Sequence, residues 1–267
     1  MAATARGTFR VLEWPGGPPA AVFLHGLTGV AEVWGPTIDA LGEPRPRSFA
    51  IDQRGHGDSP VAGPYDVASL VRDLLAVLEA LGVERPHLVG HSMGGRVALT
   101  AAARYPGRFR SVAIVDIGPE AWRANWRSTL QAFERMPTGF ASMEQALAAG
   151  GRDEARRRLF LARLRQADGG GHRWHGDPDA WKAMVVNHRS HSYWRDWERL
   201  GAIPALLVRG GGSEELRSRV AAEMRRRNAH VDFVELPGVG HNVPLLEPAA
   251  LAATLKAFWL TAGVEGA

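Results

Sequence analysis

Apolar and polar positions along the chain fall into two rhythms. Short apolar runs at 20–24, 48–51, 87–89 and 111–115 end in His25-Gly26, Asp52, Gly90 and Asp116. None of them alternates apolar with polar positions, which suits strands buried on both faces of a parallel sheet. Between the second and third runs, Val67, Leu70, Val71, Leu74, Leu78 and Leu81 recur at helical spacing and form one apolar stripe, with Gly82 as its stop. A second helix is predicted over 93–103. Past residue 200 the pattern resumes with a strand at 205–208, a helix over 213–227, a strand at 231–235 and a last helix over 248–260. Strands alternating with helices predict an α/β fold, a doubly wound and mostly parallel sheet.

Residues 119–200 have a different texture. Six of the nine tryptophans fall there, arginine is frequent, and no strand signal is visible. The segment is predicted to be a helical insertion, a cap, with Gly169-Gly170-Gly171 as a loop inside it. Residues 1–118 and 201–267 then form the core of the fold.

Composition narrows the classes. The chain has 267 residues, 45% apolar and 22% charged, which is ordinary globular usage. The net charge of +4 resides entirely in 119–200, where 14 basic residues face 10 acidic ones. That is too sparse for a nucleic-acid surface, so no nucleic-acid partner is expected. No apolar run reaches 18 residues and no apolar leader opens the chain, so neither a membrane span nor a secretory signal is expected. The absence of cysteine removes disulfides, thiolate metal ligands and a cysteine nucleophile, and it fits a cytoplasmic setting.

The chemistry starts at Gly90-His91-Ser92-Met93-Gly94. This is a G-x-S-x-G turn between a strand run and a helix. A nucleophile on so tight a turn needs small residues two before and two after it. The helix start behind Ser92 points free N–H groups at developing negative charge. Gly94, Gly95, Ala98, Ala101 and Ala102 give that helix a small face for close packing on the sheet.

With this turn in view, nearly the whole chain resembles an α/β-hydrolase. His25-Gly26 resembles that family's oxyanion loop, Asp52-Gln-Arg-Gly-His-Gly-Asp-Ser59 resembles its D-x-R-G-x-G-x-S turn, and Pro237-Gly-Val-Gly-His241 resembles the loop bearing its catalytic histidine. The resemblance implies Ser92 as nucleophile and His241 as base. His25 and His56 then read as structural, His91 as packing, and Asp52 as stabilising its turn with Arg54.

The acid is less direct. The commoner family position, G-x-x-D after the insertion, reads Gly210-Gly211-Gly212-Ser213 here. Glu214 and Glu215 follow, but Ser213 with two acids in the first turn and Arg225-Arg226-Arg227 in the last reads as a helix cap and dipole pattern. Asp116 ends the strand after the nucleophile helix, 24 residues past Ser92, and the resemblance to small bacterial esterases makes it the expected acid. The oxyanion donors are expected to be the backbone N–H groups of Leu27 and Met93. Trp122, Trp126, Phe140, Trp181 and Trp194 are expected to line an apolar pocket under the cap, and Arg123, Asn187 and Arg189 are candidates for a polar substrate group. His172-x-x-His175 and His188-x-x-His191 lack carboxylates at defined spacing, so no metal and no cofactor are expected.

The expected activity is hydrolysis of a small-molecule ester or lactone through an acyl group on Ser92, by a monomer or homodimer. The same Ser-His-Asp set also serves a carbon–carbon bond hydrolase or a lyase, and a non-catalytic ligand receptor can keep the fold. An aspartate nucleophile, as in dehalogenases and epoxide hydrolases, is excluded by Ser92.

Overall fold

The computed structural model describes residues 1–121, 126–149, 157, 160, 161 and 163–264. A hairpin of β1 (Ala2–Thr4) and β2 (Gly7–Phe9) precedes the main sheet. The sheet strands are β3 (Val11–Trp14), β4 (Gly17–Leu24), β5 (Pro46–Ile51), β6 (His87–His91) and β7 (Ser111–Val115), and later β11 (Ala205–Gly210) and β12 (Val231–Leu236). Their spatial order is β12-β11-β7-β6-β4-β5-β3, parallel throughout except for β3, which runs antiparallel to β5. This is the doubly wound sheet that the apolar runs predict.

Side-chain alternation explains why those runs are continuous. Val22 and Leu24 enter the core on one face of the sheet, while Ala21 and Phe23 enter the other. The same split holds for Leu88 and Val89, and for Ile114 and Val115. On the first face pack α2 (Val67–Ala80), α3 (Met93–Arg104) and α8 (Ser218–Arg227); on the second pack α1 (Gly35–Ala40) and α10 (Pro248–Val264). In α2, Val67, Leu70, Val71, Leu74, Val77 and Leu78 are buried, and Asp66 caps the start by accepting the Ser69 N–H at 2.9 Å.

Between β7 and β11 lie α4 (Trp126–Glu134), α5 (Met143–Ala149), α6 (Pro178–Ser190) and α7 (Trp194–Glu198). The expectation of a purely helical insertion needs correction. A three-stranded antiparallel sheet of β8 (Gly139–Phe140), β9 (Leu164–Gln166) and β10 (His172–Trp174) sits there as well. Strands of two or three residues are too short to carry a period-two signal. Gly170 and Gly171, at φ +90° and +76°, turn β9 into β10. Phe133, Phe140, Trp174, Trp181 and Val185 form a separate small core. Main-core packing resumes at Ala180 and Met184 and continues through Tyr193 and Trp197, ahead of the boundary at 200.

The segment 175–181 grips the 52–59 turn. Gly57 N–H donates to the His175 carbonyl at 3.0 Å, and the Asp177 N–H and the Trp181 indole N–H both donate to the Gly55 carbonyl at 3.0 Å. Within that turn the expected partner of Asp52 is also corrected. Asp52 accepts the Ala31 N–H at 2.6 Å and pairs with Arg10 at 3.1 Å, whereas Arg54 pairs with buried Asp73 at 2.6 Å. Among the described residues no helix is long and apolar enough to cross a membrane.

Removing one partner of a buried ion pair leaves a stranded charge. Asp73→Ala is expected to lower unfolding free energy by about 3–5 kcal/mol, against about 1 kcal/mol for the cap variant Asp66→Ala. Urea titration checks this, and equal losses for the two variants would contradict it.

Candidate active site

The site is assembled at the carboxyl ends of β4, β6 and β7. Strand order reverses between β4 and β6, so the loops that follow them diverge and leave a crevice, the usual ligand position in such sheets. Ser92 occupies the turn from β6 into α3 at φ +54°, ψ −117°, a left-handed conformation rare outside glycine. Its N–H donates to the Val115 carbonyl at 2.9 Å, which ties the turn to the next strand. The flanking glycines are sterically required. A Cβ on Gly90 would overlap the Gly94 carbonyl, and one on Gly94 would overlap the Leu24 carbonyl.

Asp116 leaves β7 at φ +54° and is fully buried. Its N–H donates to the Val208 carbonyl at 2.8 Å, while one carboxylate oxygen accepts the Gly210 N–H at 2.8 Å. The other oxygen accepts from the Ser213 hydroxyl and from His241 Nδ1, the latter at 2.7 Å. A carboxylate facing Nδ1 requires the proton there, so Nε2 is free to accept, and it receives the Ser92 hydroxyl at 2.9 Å. The structure therefore brings together Ser92, His241 and Asp116, from three distant parts of the chain. Glu214 is exposed and Glu215 pairs with Arg189 at 2.9 Å, so neither stands behind the imidazole.

Ser213 is a residue whose position the sequence marks but whose task it obscures. It does not cap a helix, since α8 begins at Ser218 rather than at 213. Its hydroxyl donates to Asp116 and accepts the Glu215 and Leu216 N–H groups at 3.2 and 3.4 Å. The place of the commoner acid thus holds a donor to the acid that is present. His91 likewise does more than pack. Its Nε2 donates to the His241 carbonyl at 2.8 Å, and the two rings lie 4.8 Å apart. Burial, then the neighbouring His241, holds the His91 pKa well below the usual histidine value, so the ring is a neutral donor.

Two more neutral histidines shape the loop after β4. His25 Nε2 accepts the Gln53 N–H at 3.0 Å and its Nδ1 donates to the Gly26 carbonyl at 2.8 Å. His56 Nε2 accepts the Thr28 N–H at 3.1 Å and its Nδ1 donates to the Arg54 carbonyl at 3.0 Å. Burial pushes both pKa values down. Leu27 lies between these two anchors, and its N–H has no acceptor among the described residues. Met93 supplies the first N–H of α3, which no helical carbonyl can reach.

Ser92 opens into a narrow cleft of about 40 Å³ bounded by Leu27, Met93, Ile117 and, from α6, Met184 and His188. The aromatic pocket expected from sequence is corrected. Trp181 is fully buried in the small core of the insertion, Phe140 meets Phe160 and Trp174 edge-on there, and Trp194 lies under the Arg227 guanidinium. None of these three lines the cleft. Indole is large enough to be consumed by its own layer's core, and aliphatic Met184 and Val185 take the lining role. Trp122 and Arg123 lie outside the described residues, and Trp126 is described only as the first residue of α4. Asn187 donates to the Ala183 carbonyl at 2.9 Å, while Arg189 borders the cleft beside Glu215. No three metal-ligating side chains gather among the described residues.

Known proteins agree with this architecture. The profile of the alpha/beta hydrolase fold family matches residues 19–248. An esterase of Mycobacterium tuberculosis is 30% identical over 259 residues, covering 92% of this chain and 84% of that protein. A 2-(acetamidomethylene)succinate hydrolase of Mesorhizobium japonicum is 31% identical over 263 residues, covering 94% and 90%. A solved structure of an E-2-(acetamidomethylene)succinate hydrolase superposes with a TM-score of 0.87 at 26% identity, over 96% of this chain and 97% of that one. The chain belongs to the alpha/beta hydrolase fold family.

Proposed function

We propose that the protein is a serine hydrolase that cleaves a carboxylic ester or lactone through an acyl-enzyme. The observation that carries this reading is the unbroken relay from Ser92 Oγ to His241 Nε2 (2.9 Å) and from His241 Nδ1 to Asp116 (2.7 Å). Two uncommitted backbone N–H groups, of Leu27 and Met93, border the same cleft.

In the first half-reaction the Ser92 oxygen attacks the substrate carbonyl carbon while His241 Nε2 takes its proton. Negative charge gathers on the former carbonyl oxygen, where the Leu27 and Met93 N–H groups would donate to it. Collapse breaks the bond to the leaving alcohol, which receives the proton from His241. A water molecule then gives its proton to His241 and attacks the acyl carbon; the acid departs and Ser92 regains its proton. Buried Asp116 holds the imidazole tautomer and stabilises the imidazolium that forms twice per cycle. Residues 119–200 act in this reading as a cap, since α6 contributes the wall facing Ser92.

Ser92→Ala is expected to lower kcat by about 10⁶ on a short 4-nitrophenyl ester, and Asp116→Asn by about 10⁴. Glu214→Gln is expected to leave the rate unchanged. Esters, lactones and diketones assayed side by side test the bond type. Ser92-dependent turnover of diketones alone would move the reading to carbon–carbon cleavage, and turnover that survives Ser92→Ala would end it.

Ser213 is a positioning residue in this scheme. Its hydroxyl fixes the Asp116 oxygen that faces the imidazole. Ser213→Ala is therefore expected to cut kcat by roughly 10- to 100-fold with little change in KM, the worth of a hydrogen bond to a charged group. Ser213→Thr, which keeps the hydroxyl, should restore kcat. An unchanged kcat in Ser213→Ala, or a loss in KM alone, would contradict the assignment.

A further inference from the structure

The wall of the Ser92 cleft contains a buried positive charge that meets no carboxylate among the described residues. Arg96 follows Ser92 by one turn of α3, so both project from one face of the helix and both border the cleft. The side chain is buried at 6% exposure. Its bonds go to backbone carbonyls: 2.9 Å to His188, and long contacts of 3.4 Å to Gly118 and Glu120. The Tyr193 ring lies 5.5 Å from the guanidinium. The carboxylate across the cleft, Glu215, is committed to Arg189. Burial pulls the Arg96 pKa down, and the distant Glu215 and Glu120 charges offset this in part only.

His188 stands beside it. The imidazole is 3% exposed, and among the described residues neither ring nitrogen meets a partner at full hydrogen-bond geometry, the Tyr65 backbone being the one group in reach. Burial, then the Arg96 charge, holds its pKa down to about 3, against the Tyr65 backbone contact, which raises it. The ring is therefore neutral, with at least one of its two nitrogens unused. Buried polar groups left without partners in a native cleft call for an explanation, and a ligand that satisfies them supplies one.

The position of these groups fixes which part of a substrate they meet. Ser92, Leu27 and Met93 border the cleft, and His241 does not. The leaving alcohol must lie at His241 to receive its proton, so the cleft takes the acyl side. We infer that the acyl group carries a free carboxylate, held by Arg96 and His188, and that the preferred substrates are half-esters of short dicarboxylic acids. This rests on the ester-hydrolase reading above. A guanidinium matches a carboxylate in charge and hydrogen-bond geometry, and a cleft volume of only about 40 Å³ limits the acyl chain to a few carbons.

The test compares monoethyl glutarate with diethyl glutarate, following ethanol release. Wild-type kcat/KM is expected to favour the monoester by about tenfold or more, mainly through KM. Arg96→Gln and His188→Leu should each shrink that ratio, with Arg96→Lys between Arg96→Gln and wild type. Circular dichroism identifies any variant that fails to fold, in which case His188→Leu and the wild-type ratio decide. Ser92-dependent hydrolysis with equal or better use of the diester would overturn the inference while leaving the ester-hydrolase reading intact. Should neither ester be turned over, calorimetric titration of glutarate into Ser92→Ala still decides: binding that His188→Leu abolishes supports the carboxylate site, and no binding overturns it.

Discussion

Non-glycine residues avoid positive φ, yet Ser92 and Asp116 both stand at φ +54°. They follow adjacent parallel strands whose last residues, His91 and Val115, are paired in register. Each such residue costs of order 1–3 kcal/mol and persists only where its surroundings overdetermine it. Here the sheet does so. The Ser92 N–H continues the ladder onto Val115, and the Asp116 N–H continues it onto Val208. The same sharp departure from the strand lifts the Ser92 hydroxyl above the sheet and turns the Asp116 carboxylate toward the imidazole. The relative placement of hydroxyl and carboxylate is therefore a property of strand pairing, held by the most deeply buried part of the molecule.

His241 lies on a loop and is held from both sides. Asp116 fixes its Nδ1, and His91 fixes its carbonyl. Burial keeps His91, His25 and His56 neutral, which allows each to bind backbone without bringing a charge into the site. His25 and His56 tie the loop after β4 to the 52–59 turn, and the Leu27 N–H between them meets no acceptor among the described residues. The 52–59 turn that receives these histidines is also the turn gripped by Gly176 and Trp181. One short segment thus connects the loop after β4 to the insertion.

Much of this was legible in the residues, for identifiable reasons. The apolar runs at 20–24, 48–51, 87–89 and 111–115, with the strand at 205–208, predict core strands whose ends agree with the structure to within a few residues, because a strand buried on both faces needs no register information. Gly90 and Gly94 mark the serine turn because no other residue fits there. Asp116 could be chosen over Glu214 because Ser213 occupies the usual acid position. What the hydroxyl of Ser213 does instead depends on a contact 97 residues away in the chain, which no local pattern carries. The strands at 139–140, 164–166 and 172–174 were hidden by their brevity. The tryptophans misled because their size says that they are buried and not against what. Arg96 was read only as part of a helix, since its lack of a carboxylate partner exists only in three dimensions.

The proposed serine chemistry requires the acyl group to pass through the Ser92 oxygen. Intact-mass and peptide-level mass spectrometry of the wild-type protein, quenched in acid during turnover of a slow 4-nitrophenyl ester, addresses this directly. One acyl group per chain is expected on the peptide that contains Ser92, accumulating before steady state and lost when substrate is exhausted. Turnover with that peptide unmodified throughout, or with the acyl group on another residue, would contradict it.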